Sequence, residues 1–237
     1  MIHVRDLCYT YPPTPPATLS VLALDGLNLD VAPGACLAIT GPNSSGRTTL
    51  CLALAGLAPR LTAGTVSGTI LVDGHDVQSV PPGSLADRIG LVLQDPAGQL
   101  FTQSVVDEVA WGLENLGLSP AEMPARIDWA LGLAGLSGVP LDQPPQTLSG
   151  GQQKRLALAA ALALEPHVLI LDEPSAGLAP AARTEMVAVL RALRESHRLT
   201  IVFTESDPEI VTALADEVLV LTAGHGTGAG NQAEVYA

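Results

Sequence analysis

The 237 residues are enough for one large domain or two small ones, and a hydrophobic content of 47% supplies a sizeable core, which excludes a disordered chain. Twenty-four acidic against eleven basic residues leave a net charge of −13, and aromatic residues make up 3%. That balance excludes a nucleic-acid surface, which needs clustered Lys and Arg or stacking platforms. Cys8, Cys36 and Cys51 follow no metal-ligand spacing. They read as small hydrophobes in a reducing compartment. Arg5 and Asp6 interrupt the start of the chain before an apolar run can form, which argues against a signal peptide. No stretch reaches the ~20 apolar residues of a membrane helix. Any membrane role would therefore run through partners, from the cytoplasmic side.

In chain order, the Pro-rich stretch 12–16 reads as a loop between two short N-terminal strands. A turn at 31–34 leads to a compact apolar strand at 36–40, a Gly-containing loop and a helix over 48–56. Strands follow at 69–72 and 91–93. From about 96 to 164 apolar residues recur at helical steps. A buried-strand pattern returns at 167–171, an amphipathic helix covers 184–196, and strands follow at 199–203 and 218–221. Strands alternating with helices predict an α/β fold with a mostly parallel sheet covered on both faces. The helical middle is then a subdomain inserted in a single domain over 1–222, and the Gly-rich residues 223–237 form a flexible tail.

The segment Gly41, Pro42, Asn43, Ser44, Ser45, Gly46, Arg47, Thr48 and Thr49 joins a buried strand to a helix, the setting that a phosphate loop requires. Its backbone N–H groups would wrap a phosphate, helped by the positive end of the helix. Thr48 is placed to offer a hydroxyl to Mg²⁺. The loop ends Gly-Arg-Thr where such loops end Gly-Lys-Ser/Thr, so a forked guanidinium replaces a compact ammonium at Arg47. That exchange favours binding over transition-state stabilisation.

Further along, Ser149, Gly150, Gly151 and Gln152 open a helix, and an apolar strand then ends in Asp172 and Glu173. Two acids at the end of a buried strand suit metal and water chemistry, with Asp172 on Mg²⁺ and Glu173 polarising the attacking water. The order of phosphate loop, LSGGQ and LILDEP resembles the ATPase subunits of ABC transporters over nearly the whole chain. The run from Gln94 to Phe101 and that from Val106 to Asn115 resemble the energy-coupling-factor and cobalt-type branch of that family, whose members power uptake of vitamins or metal ions.

The resemblance implies a P-loop ATPase core, an N-terminal antiparallel β subdomain and an inserted helical subdomain carrying LSGGQ. It implies ATP and Mg²⁺ as cofactors and a head-to-tail dimer, in which Ser149, Gly150, Gly151 and Gln152 meet the nucleotide of a second ATPase subunit. It further implies membrane-embedded partner subunits and a peripheral position on the cytoplasmic face. Gln94 matches the glutamine that contacts Mg²⁺ and couples to the membrane subunit, and Tyr11 the aromatic that stacks on adenine. Leu100, Phe101, Val105 and Trp111 are candidates for the groove that receives a membrane subunit, although core packing explains them equally well.

Two more positions depart from the family pattern. Ala179 stands where an Asp is usual, and Ser206 stands where a catalytic His is usual. Arg47 and Ser206 both belong to the site at the chain's own phosphate loop, so that site is expected to bind ATP and turn it over slowly, beside a second, different ATPase subunit. Glu173, which an inert site does not need, speaks for hydrolysis. Two alternatives remain open: a non-hydrolysing regulatory half of a heterodimer, and a soluble ABC ATPase without a transport role.

Overall fold

The computed structural model describes residues 1–14, 16, 18–197 and 199–231. Strands β1 (Ile2–Tyr11) and β2 (Val21–Val31) lead into β3 (Cys36–Thr40) and helix α1 (Arg47–Leu54). Next come β4 (Thr65–Val72), β5 (His75–Asp76) and β6 (Ile89–Val92). Helices α2 (Val105–Asn115), α3 (Met123–Leu133) and α4 (Gly150–Ala163), with short 3₁₀ turns at Pro96–Gly98 and Pro145–Thr147, separate β6 from β7 (Val168–Leu171). Then follow α5 (Pro180–His197), β8 (Thr200–Thr204), α6 (Pro208–Leu214), β9 (Glu217–Thr222) and β10 (His225–Asn231).

One sheet is antiparallel, in the order β2-β1-β4-β5. The other runs β10-β9-β3-β8-β7-β6 and is parallel throughout, apart from its β10 edge. The parallel strands read as unbroken apolar runs because both of their faces are covered, and their alternation divides them between two cores. Leu37, Ile39, Val168, Ile170 and Val202 face α1 and the antiparallel sheet. Cys36, Ala38, Leu169, Leu171, Ile201 and Phe203 face the helices of the second core. Burial pushes the Cys36 thiol up to about 12 and the Cys51 thiol well up too, so both are inert packing groups.

Helix starts follow local chemistry. Ser104 caps α2 by accepting from the Asp107 N–H, and Asp107 and Glu108 sit in its first turn, where the helix dipole favours negative charge. Ser149 and Gln152 form a reciprocal capping box on α4. Pro180 and Pro208 open α5 and α6 at positions that need no backbone donor.

The structure differs from the sequence expectation at several points. The N-terminal strands, expected to be short, span 10 and 11 residues. Strand β4 starts at Thr65 rather than at 69, and α5 starts at Pro180 rather than at 184. The segment expected to be a flexible tail instead begins with β10, which pairs antiparallel with β9 from His225 to Asn231. Gly226 has a packing reason: a Cβ there would lie 2.4 Å from Leu27 Cδ1 of β2. Residues 232–237 of that segment, and Pro15 of the Pro-rich loop, lie outside the described residues. Among the described residues no helix is long and apolar enough to cross a membrane.

Asp73 ties the two sheets together. It occupies the β4–β5 turn, and its Oδ2 lies 2.8 Å from Arg88 Nη1 and 2.7 Å from His167 Nδ1, from the segments just before β6 and β7. Burial pushes its pKa up, but the hydrogen bonds from His167 and Arg88 outweigh that and hold the carboxyl below its usual range. A pKa lowered by folding adds stability above the unfolded value and loses it as the pH falls through the folded one. Asp73→Asn is therefore expected to be less stable than the native chain at neutral pH. The gap should close below about pH 4, as read by urea unfolding across that range.

Candidate functional site

Between β3 and α1 the chain makes a turn that only glycine permits at two places. Gly41 has φ 144° and Gly46 φ 104°. A Cβ on them would lie 2.1 Å from the Leu221 carbonyl oxygen and 2.4 Å from that of Ala23, respectively. Ser44 between them is also left-handed, at φ 63°. Such a sequence of conformations turns backbone N–H groups toward one concavity, as anion binding requires. Asn43, Ser44, Ser45, Gly46, Arg47, Thr48 and Thr49 line a cavity of about 530 Å³ together with Tyr11, Val21, Ala23, Gln94 and Glu173. The Ser45 hydroxyl is buried without a hydrogen-bond partner, an orphan that a phosphate oxygen would satisfy. Tyr11 is fixed there by its hydroxyl, 3.0 Å from Thr49 Oγ1, and by edge-on packing against Tyr9 at 4.8 Å between centroids.

Asp172 and Glu173 follow β7. Asp172 is 2% exposed, and its Oδ1 accepts from the Thr204 hydroxyl at 2.7 Å. That same Thr204 oxygen accepts from the Glu173 N–H at 2.8 Å. Glu173 has φ 47°, a conformation that costs a non-glycine residue about 1–3 kcal/mol and persists only where neighbours over-determine it. Its neighbours do so from three sides. Arg47 Nη2 donates to Oε1 at 2.7 Å, Gln94 Nε2 donates to Oε2 at 2.8 Å, and Lys154 Nζ donates to the backbone carbonyl at 3.0 Å. Arg47 Nη1 also donates to Ser206 Oγ at 2.7 Å. The Arg47–Glu173 pair is well shielded, with side chains 7% and 21% exposed.

A second acid stands behind the first. Glu205 is buried, accepts from the Ser175 hydroxyl through Oε2, and takes the Ser206 and Asp207 N–H groups on Oε1 at 2.8 and 3.2 Å. Lys154 is buried as well, and burial lowers its pKa although Glu173, Glu205, Asp172 and Asp95 draw it back up.

The structure therefore gathers Tyr11, the loop from Asn43 to Thr49, Gln94 and Glu173 around one cavity, with Ser206 bonded to Arg47 of its wall and Asp172 buried beside Glu173 on Thr204. It does not bring Ser149, Gly150, Gly151 and Gln152 there: none of them lines that cavity, and Ser149 and Gly150 face solvent. Gly151 is buried, and a Cβ on it would lie 2.8 Å from Ala182 Cβ, so part of its need is packing against α5. Of the residues expected at a docking groove, Phe101 and Trp111 are 61% and 52% exposed and stack edge-on at 5.1 Å. Leu100 lines the same shallow groove. Val105 is 0% exposed and belongs to the core, so of the two readings left open for it core packing holds.

Glu205, Thr204 and Lys154 of the site escaped the sequence reading. Thr204 looks like an ordinary β-branched strand residue. Lys154 has a visible signal, a lone charge on the buried face of the helix QQKRLALAAALAL.

Residues 24–176 match the family model described as ABC transporter. The cobalt import ATP-binding protein CbiO of Rhodobacter capsulatus is 41% identical over 236 residues, covering 99% of this chain and 80% of that protein. The chain belongs to the ABC transporter family, as an ATP-binding subunit. CbiO1 of Clostridium perfringens, solved as part of the ABC transporter complex CbiONQ, superposes with a TM-score of 0.83 at 36% identity, covering 99% of this chain and 90% of that one. A dimeric ATP-binding cassette in a post-hydrolysis state with ADP and Pi shares the fold, with a TM-score of 0.85 at 24% identity, over 98% of this chain and 99% of that one. The family to which the subunit belongs is one of ATPases, and the cavity beside Glu173 has the donors that an anionic nucleotide needs.

The double role of Thr204 can be tested by an isosteric change. Thr204→Val keeps the volume but leaves a buried N–H and a buried carboxylate each short of a partner, at an expected cost of about 1–3 kcal/mol in urea unfolding. ATP turnover should fall further than stability alone explains, because both acids lose their aim.

Proposed function

We propose that this chain powers an importer of the energy-coupling-factor kind, which moves a vitamin or metal ion, from a peripheral position on the cytoplasmic face of the membrane. Its resemblance to a cobalt import subunit and to a member of a CbiONQ complex supports that branch. One observation carries the reading: the phosphate-loop cavity and the LSGGQ segment lie apart in this chain. Its phosphate-loop cavity contains Glu173 but none of LSGGQ, while the capped N-terminus of α4 stands exposed elsewhere. A head-to-tail dimer would complete both halves. Ser149, Gly150, Gly151 and Gln152 would then offer donors at a positive helix end to the nucleotide of a second, different ATPase subunit.

At its own loop, which opens with Gly41 and Pro42, the backbone N–H groups from Asn43 to Thr49 would cradle phosphates, and the Tyr11 ring would take the base. The oxygens of Thr48, Gln94 and Asp172 make a donor set suited to Mg²⁺, which would neutralise phosphate charge. Glu173 would polarise the attacking water. For that it must leave Arg47, since a carboxylate held in a shielded ion pair is a poor base. Ser206, shorter than an imidazole, is already engaged by the same guanidinium. The own site is accordingly a slow one. The Arg47–Glu173 pair also favours a second reading, in which this chain is a non-hydrolysing regulatory half.

Arg47→Lys with Ser206→His, assayed in the assembled transporter, is expected to raise ATP turnover by roughly tenfold, about 1.4 kcal/mol of barrier. An unchanged rate would count against an impaired own site. At the groove, Trp111→Ala with Phe101→Ala should cut co-purification of membrane subunits by about tenfold, because exposed aromatics of this size anchor interfaces. The nucleotide affinity of the variant chain should stay at the native value.

A further inference from the structure

The LSGGQ helix and the acid after β7 are expected to serve different nucleotides, yet one buried side chain joins them. Lys154 lies in the second turn of α4, two residues beyond Gln152. Its Nζ donates to the Glu173 carbonyl at 3.0 Å and to the Ala176 carbonyl at 2.7 Å. Those two carbonyls bracket the turn that follows β7, which is closed by the Ala176 N–H bonding to the Glu173 carbonyl at 3.1 Å. The grip therefore falls on the backbone of the residue held at φ 47°.

We propose that Lys154 is a positioning residue that couples the chain's two half-sites, so that any movement of Glu173 at the phosphate loop is carried to the start of the LSGGQ helix.

The physical case rests on burial and on the lack of slack. Lys154 is 5% exposed, so a lost carbonyl contact cannot be replaced by bulk water at no cost. The α4 end of the link is stiff: Gly151 packs against Ala182 with no room for a Cβ, and the capping box fixes Ser149 to Gln152. The Glu173 end is strained and held by side chains that a nucleotide disturbs. Phosphates entering the loop compete for Arg47, which releases one carboxylate oxygen of Glu173. A residue in a disfavoured conformation that loses one of its holds relaxes, and its carbonyl is the atom that Lys154 grips. Ala179, where the family pattern has an acid, supplies no side-chain link of its own from this turn. The purpose of the coupling, to let one site set the poise of the LSGGQ presented to the other, rests on the dimer reading above; the coupling itself does not.

Hydrogen exchange on the full-length chain, read by mass spectrometry with and without Mg-ATP, tests this independently of dimerisation and turnover. In the native chain Mg-ATP should change exchange by about threefold or more in both the 173–178 and the 149–155 peptides. In Lys154→Met the 173–178 peptide should still respond while 149–155 stays still, and Lys154→Arg, which keeps charge and donors, should restore the response. A melting temperature within a few degrees of native separates this from general loosening, and Lys154→Gln serves if the Met variant does not fold. Arg47→Ala disturbs Glu173 without nucleotide and should produce the same pair of changes. If Mg-ATP leaves 173–178 untouched, the reading of the phosphate loop fails, and Arg47→Ala then decides the coupling alone. If 149–155 responds equally in Lys154→Met, or fails to respond in the native chain while 173–178 does, the coupling is overturned.

Discussion

The Thr204 hydroxyl is a single buried oxygen on which the acidic edge of the sheet depends. It donates to Asp172 and accepts from the Glu173 N–H, so it ties the ends of β7 and β8 and sets where both carboxylates begin. Parallel strands buried on both faces carry polar groups at their ends, and there each group needs a partner. The chain meets that demand by making the last residue of β8 a threonine with no solvent exposure. The phosphate loop then follows β3 on the same edge, and the remaining site is assembled around this point.

Charge at the edge is balanced locally although the chain as a whole is acidic. Asp172, Glu173 and Glu205 are answered by Arg47 and Lys154, all of them largely shielded from water. In such surroundings removing one member leaves another without compensation, so the five act as a unit rather than as separate pairs. The two cations differ in what they hold. Arg47 takes the Glu173 side chain, where a bound nucleotide would compete with it, and Lys154 takes the backbone. The acid is thus free to move at one end and indexed at the other.

How far this was legible follows from what each feature depends on. The parallel strands show in the sequence because burial on both faces demands unbroken apolar runs. The phosphate loop shows because Gly41 and Gly46 are the only residue type that their φ values and neighbouring carbonyls admit. Strand β10 does not show, since Gly226 answers to the closeness of Leu27 on a distant strand and a Gly-rich run looks like a linker in isolation. Helix α6 spans 7 residues, too few to display a period. The partners of Thr204 and Lys154 are separated from them by 31 and 19 residues, and no local pattern encodes that distance. Val105 stayed open in the sequence: an apolar residue at a helix start can face a partner or the core, and only packing decides.

Arg47 and Ser206 are two departures in sequence but one feature in space. The guanidinium is planar and forked, and it spends one branch on Glu173 and the other on Ser206, both at 2.7 Å. A lysine at that position would offer one ammonium at the end of a flexible stem and could not hold both oxygens in a plane. An imidazole at position 206 would stand where the outer branch of the guanidinium now lies. Each substitution therefore fits because the other is present, and reverting one alone leaves either the Ser206 hydroxyl without its donor or a fork without its room. The pair is better understood as a clamp on Glu173 than as two independent departures.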